Sequence, residues 1–256
     1  TKETKMNANL VLDCGKSAAG KSASLQNIKD PEGVLYLNCE NNKKLPFKSK
    51  FIQYTITDPD HVPMIISTVE SEEEITIGDT QYETAKIHTI VIDSLTYLMD
   101  MYESTKVINS SNTMQAWGAY AQFMKNMMAQ DVAKSTRNII FLAHTSDVYN
   151  ESEMVNETLV KVKGSLMNQG IESFFSTVIS CKKMPLSKLK LADSSMYSVN
   201  DDEEMLGFKY VYQARLTKDT VNERMRSPVG MWTIKETFID NNIQHVLDRL
   251  HNYYDA

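Results

Sequence analysis

The 256-residue sequence has no apolar run near the roughly 18 residues that span a bilayer, and no signal-peptide pattern opens it, so no membrane role is expected. It has three cysteines, Cys14, Cys39 and Cys181, far apart and without a CxxC pair. That excludes a disulfide framework or a cysteine zinc site and suits a reducing, cytoplasmic compartment. No Pro/Gly/Ser-rich linker and no internal repeat divides the chain, so one domain over residues 1–256 is expected. Positive charge is also short: the formal net charge is −6, whereas proteins that grip nucleic acid over a whole face are basic. Any contact with DNA is therefore local or shared between subunits. The hydrophobic share of 42% is ordinary for a packed globular chain.

Apolar runs at residues 9–13, 34–38, 51–56, 88–93 and 138–143 read as buried strands. Helices are expected over 21–28, 60–74, 95–107, 113–134 and 165–174, and a hairpin over 75–87 around Gly78-Asp79-Thr80. In the fourth helix Met114, Trp117, Ala121, Met124 and Met128 recur at helical spacing and predict a core face. Residues 144–164 read as a polar loop. Late strands at 176–181 and 207–216 flank a polar insertion holding Asp201, Asp202, Glu203 and Glu204, and residues 238–250 read as a closing helix. Alternating strands and helices predict an α/β fold: a mainly parallel central sheet, helices on both faces, antiparallel late strands.

The first strand runs into Gly15, Lys16, Ser17, Ala18, Ala19, Gly20, Lys21 and Ser22, a complete G-x-x-x-x-G-K-[ST] pattern, with Ala23 beside it. Glycines at such a turn let backbone N–H groups wrap phosphates, and a following helix N-terminus adds favourable potential. Lys21 is placed to reach the β- and γ-phosphates of ATP or GTP, and the Ser22 hydroxyl to ligate Mg²⁺. A chance match has odds on the order of one per cent in a chain this long, before the flanking elements are demanded. About seventy residues on, the apolar strand 89–93 closes on Asp93, which suits a carboxylate holding a Mg²⁺-bound water, with Ser94 adjacent.

Glu40 and His144 follow apolar strands at the same predicted edge. Glu40 reads either as a general base that polarises the attacking water or as a solvated loop carboxylate. His144 reads either as a sensor of the γ-phosphate or as a satisfied polar group at a strand end. Cys14, one residue before the loop, reads as a buried small hydrophobe rather than a redox switch. An arginine-rich lid near the loop is missing, which disfavours a small-molecule kinase.

The order of these motifs carries a resemblance: the loop, Glu40, Val-Ile-Asp-Ser-Leu-Thr at 91–96, Trp117-Gly118, Phe-Leu-Ala-His-Thr at 141–145, and a late basic stretch over 218–226. The chain resembles the RecA-type ATPase core and, more narrowly, the short phage-encoded RecA-like ATPases of single-strand annealing recombination. The likeness spans about residues 9–232, with a C-terminal helix at about 238–250. It implies ATP and Mg²⁺ as cofactors, with Lys21, Glu40, Asp93 and His144 as catalytic residues. It further implies a DNA-facing loop over 145–164 with Lys161 and Lys163 as phosphate contacts. It also implies a ring or filament of this chain in which Lys218, Arg224 or Arg226 reaches a neighbour's nucleotide. Single-stranded DNA is the implied partner, with a single-strand-binding protein as a second one, in a cytoplasm that is the host's if the chain is phage-encoded. No added N-terminal domain of the filament-forming kind is evident, so annealing is expected over strand exchange. The alternative is a nucleotide-switched assembly module that acts on a protein partner without binding DNA itself.

Overall fold

A computed structural model describes residues 9–255. Its strands are β1 (Asn9–Gly15), β2 (Val34–Asn38), β3 (Ile52–Thr55), β4 (Glu74–Ile77), β5 (Thr80–Glu83), β6 (Thr89–Asp93), β7 (Asn138–Asn150), β8 (Val155–Val160), β9 (Thr177–Pro185), β10 (Phe208–Gln213) and β11 (Phe238–Asp240). Its α-helices are α1 (His61–Ser71), α2 (Leu95–Tyr102), α3 (Thr113–Asn126), α4 (Leu166–Gln169), α5 (Asp201–Leu206) and α6 (Ile243–Tyr254). The main sheet has the order β11-β10-β9-β1-β7-β6-β2-β3, and β8 pairs with the far half of β7. From β9 to β3 every neighbouring pair on that path is parallel, while β10 and β11 run antiparallel. This is the expected α/β architecture.

Period-two alternation sends successive residues of each central strand to opposite faces. Leu12, Leu35, Leu37, Ile90, Ile92, Ile139 and Phe141 pack on one side with α1, α2 and α3. Val11, Tyr36, Val91, Ile140 and Leu142 pack on the other with α6 and Trp232. With both faces covered, these strands read as continuous apolar runs. Each fully buried aliphatic side chain contributes about 1.5–3 kcal/mol relative to exposure.

Parallel register brings one end of each strand to a common edge. Gly15 lies opposite His144, and Asp93 opposite both Leu142 and Asn38. Because β7 separates β1 from β6, His144 stands between the phosphate loop and the acid.

Several expected elements differ. After the loop the chain makes only a six-residue 3-10 turn, Ser22–Asn27, instead of a full helix. The turn signal at Asp30-Pro31 leaves no length for more. The polar loop over 144–164 is largely a hairpin: β7 runs on to Asn150 and pairs antiparallel with β8, from Thr145↔Val160 to Asn150↔Val155. Its outer part leaves the core, so its side chains lack the apolar alternation that would have marked a strand. The helix expected over 165–174 is split into α4 and a 3-10 turn at Glu172–Phe174, with Gly170 at φ 75° between them. The closing helix is β11 followed by α6. Met114 is 85% exposed and leaves the core face, while Met124 and Met128 are buried. The acidic insertion forms α5, held by a capping box of Asn200 and Glu203, with its four acids in the first turn where the helix dipole favours them.

Candidate active site

The loop from Gly15 to Ser22 turns at the end of β1, and its glycines are needed for close approach. A Cβ on Gly15 would lie 2.5 Å from the Cys181 carbonyl oxygen. At Gly20, φ is +98° and a Cβ would lie 2.8 Å from Asn241 Nδ2 and 3.0 Å from a Tyr210 ring carbon. Asn241 Nδ2 also donates to the Gly20 carbonyl at 2.9 Å, tying the loop to the end of β11.

Lys21 is buried and folds back over the loop, its Nζ donating to the Gly15 carbonyl at 3.0 Å and the Lys16 carbonyl at 2.8 Å. Burial lowers its pKa, and the Asp13 and Asp93 charges oppose that shift. Ser22 Oγ donates to Asp93 Oδ2 at 2.8 Å, and Tyr36 donates its hydroxyl to the same oxygen at 2.7 Å. Burial raises the Asp93 pKa, and the Tyr36 hydrogen bond works against it. A hydroxyl and a carboxylate this close form a hard-oxygen pair. Mg²⁺ bound through one or two protein oxygens, waters and substrate phosphates fits such a pair, and Ser22 and Asp93 are the residues that would hold it. Among the described residues there is no cluster of three or more His, Cys, Asp or Glu that would form an all-protein metal cage.

Glu40 is buried beside this pair. Its main-chain N–H donates to Asn38 Oδ1 at 2.9 Å, and Lys43 Nζ holds its Oε2 at 2.9 Å. His144 donates its main-chain N–H to Thr96 Oγ1 at 2.9 Å and packs edge-on against Tyr97. Burial, then the Lys21 charge, lowers its pKa, which keeps the imidazole neutral near pH 7. Lys21, Ser22, Glu40, Asp93 and His144 line one cleft of about 420 Å³ with Ser17, Ala18, Gly20 and Ala23.

Sequence reading missed Lys43, Tyr36, Tyr210 and Asn241 in the same cleft. Lys43 stands three residues after Glu40, a spacing that signals its pairing. Tyr36, inside an apolar strand, and Tyr210 and Asn241, nearly 200 residues or more from the loop, carry no such local signal. A buried acid two residues before the loop, Asp13, was also missed because it sits in a run read as plain strand.

The remaining candidates lie elsewhere. Lys16 is exposed and spends its charge on Asp147 of β7 at 2.7 Å. Lys161 and Lys163 lie just past β8; Lys161 is exposed and lines a separate cleft behind His144. Lys163 turns onto α2, pairing with Asp100 at 2.9 Å and with Glu103, and so is not a free cation on a DNA-facing loop. Lys218, Arg224 and Arg226 do not line the chain's own cleft. Arg224 is bound to Glu157 of β8 at 3.1 Å, whereas Lys218 and Arg226 are exposed. Cys14 is buried, and burial pushes its thiol pKa well up, as befits a small core residue.

Among the described residues no helix is long and apolar enough to cross a membrane. No curated protein sequence matches the chain. Among solved structures the chain is similar to the flagellar accessory protein FlaH of Methanocaldococcus jannaschii, at 10% identity and a TM-score of 0.39 over 81% of this chain and 78% of that one. The AAA domain family matches residues 8–203. With more than half of the sequence matched, and with the loop, the strand-end acid and the intervening strand of a P-loop ATPase fold all in place, the chain belongs to the AAA domain family.

Proposed function

We propose that the chain is a Mg²⁺-dependent ATPase that cleaves the terminal phosphate of ATP with water, giving ADP and inorganic phosphate. The observation that supports this is the convergence of Lys21, Ser22, Asp93, Glu40 and His144 on one cleft. Lys21 exchanges the Gly15 and Lys16 carbonyls for phosphate oxygens. Ser22 and Asp93, already 2.8 Å apart, would hold the metal. When bound, Mg²⁺ supplies charge neutralisation at the phosphate oxygens. Glu40 accepts the proton of the attacking water once Lys43 releases its Oε2. A neutral His144 donates an N–H toward the terminal phosphate and reports its presence to β7. Phosphate release from Mg-ATP, alone and with single-stranded DNA added, tests this. Lys21→Ala is expected to lower the rate about 10³-fold, by removal of a charge-stabilising donor. A wild-type chain inactive under every condition would sink the reading.

For the wider role, we propose phage-like DNA recombination, with the oligomer on single-stranded DNA promoting annealing. Motif order supports this, as do the exposed Lys161 and Lys218, which are available to phosphates or to a neighbour's nucleotide. Filter binding of single strands with and without ATP, at low and high salt, is the test; no ATP-dependent binding at low salt refutes it. One observation favours the nucleotide-switched module instead. The β7–β8 hairpin carries Asp147, Glu151, Glu153 and Glu157 around exposed Val148, Tyr149 and Met154, a surface better suited to a protein than to a phosphate backbone. Turnover stimulated by a single-strand-binding protein but not by DNA would decide for it.

A further inference from the structure

Asp13 is fully buried on β1, two residues before the phosphate loop, and has no part in the chemistry above. Its Oδ2 accepts the Tyr212 hydroxyl at 2.7 Å and the Ser24 hydroxyl at 3.0 Å, while Oδ1 has no hydrogen-bond partner among the described residues. Ser24 Oγ also lies 2.6 Å from the Lys21 carbonyl oxygen, so one hydroxyl proton serves two acceptors. An ionised Asp13 draws that proton; a protonated one leaves it to the main chain of Lys21. The acid thus acts on the turn that carries both Lys21 and Ser22.

The electrostatics link the same two residues. The Lys21 charge lowers the Asp13 pKa, and the Asp13 charge raises that of Lys21. The other titratable groups that act on Asp13 or feel its charge are Tyr212 from β10, Asp93 from β6, Cys181 from β9 and Cys14 on its own strand. Burial pushes the Asp13 carboxyl up to about 7, against the hydrogen bond of Tyr212 and the charge of Lys21. The Lys21 ammonium rests on the Gly15 and Lys16 carbonyls, and its charge favours the carboxylate. A polyphosphate that claims the ammonium brings several negative charges to the same neighbourhood.

We propose that Asp13 is a positioning residue of the phosphate loop: the buried counter-charge of Lys21, which takes up a proton from solvent when a polyphosphate binds the lysine. The proton passes from bulk water to the carboxylate, and no other bond changes. The proposal rests on the nucleotide reading of the loop. Because the complex holds more protons than the free chain, nucleotide affinity falls as pH rises from about 6.5 to 8, by about three- to tenfold.

Titration calorimetry with a Mg-bound non-hydrolysable ATP analogue at pH 7, in two buffers of different ionisation enthalpy, counts the protons taken up. The wild type is expected to take up about half a proton more than Asp13→Asn, which also loses the pH dependence of affinity. A purely structural Asp13 would leave the two proton counts equal, and equal counts overturn the proposal. Should Asp13→Asn not fold, Tyr212→Phe carries the test. It removes a hydrogen bond that favours the carboxylate, so uptake must shrink at pH 7 and reappear at higher pH, and an unchanged profile refutes the inference. A wild type that binds no analogue defeats this proposal and the nucleotide reading together; binding with equal proton counts defeats this proposal alone.

Discussion

The phosphate-loop edge and the β7–β8 hairpin share one strand, yet they are held by different forces. At the loop edge, Asp93, Glu40 and Lys21 are buried, and each meets a specific partner within 3.0 Å. Beyond Thr145 the hairpin is fastened mainly by half-exposed ion pairs, Lys16 to Asp147 and Arg224 to Glu157, and by main-chain bonds from Thr158 to Asn222 and Arg224. Buried partners fix geometry because a lost hydrogen bond there leaves a desolvated group. Exposed pairs contribute about 0–1 kcal/mol each and are screened by salt. A buried chemical edge therefore adjoins an arm whose side-chain ties lie nearer the surface, with β7 running continuously through both.

Three substitutions probe this contrast. The largest effect is expected from Glu40→Gln, which should lower kcat about 10²–10⁴-fold while nucleotide affinity stays within a few-fold; single-turnover phosphate release measures it, and intact turnover removes Glu40 as the base. Next is Asp13→Asn. The folded acid titrates near 7 and the unfolded one near 3.8, so across that window the folded chain holds more protons than the unfolded. Wild-type stability consequently falls as pH rises from about 4 to about 7 and then levels off, while the variant's changes less. Above pH 7 the variant should be more stable by on the order of 2–4 kcal/mol, read from urea midpoints. A lower stability there would contradict the electrostatic account of the loop edge. The smallest effect belongs to Asp147→Ala, which breaks the pair with Lys16. It should change stability by less than about 1 kcal/mol and nucleotide affinity by a few-fold at low salt, both vanishing at 0.5 M salt. A loss as large as that of Glu40→Gln would show that the hairpin belongs to the chemical edge after all.

Much of the architecture was legible in the sequence, because the middle of a strand buried on both faces must be continuously apolar, as residues 90–92 and 139–143 are. The hairpin was not: once β7 leaves the core its side chains answer to solvent, and polar residues serve a loop and a free ribbon equally well. The same limit applies to the cations. Lys161, Lys163, Arg224 and Arg226 look alike along the chain, but only folding turns Lys163 onto Asp100 and Arg224 onto Glu157.

By itself the sequence determined the phosphate loop, since glycines, a lysine and a serine within eight consecutive residues need no distant partner to define their chemistry. It determined the class of the fold for a similarly local reason. Only the tertiary structure decided that Ser22, Tyr36 and Asp93 meet at one oxygen. It alone set Asp13 beneath the loop with Tyr212, 199 positions away. Those contacts come from sheet order and strand register, parallel in the centre and antiparallel at β10, which bring residues together regardless of their separation along the chain.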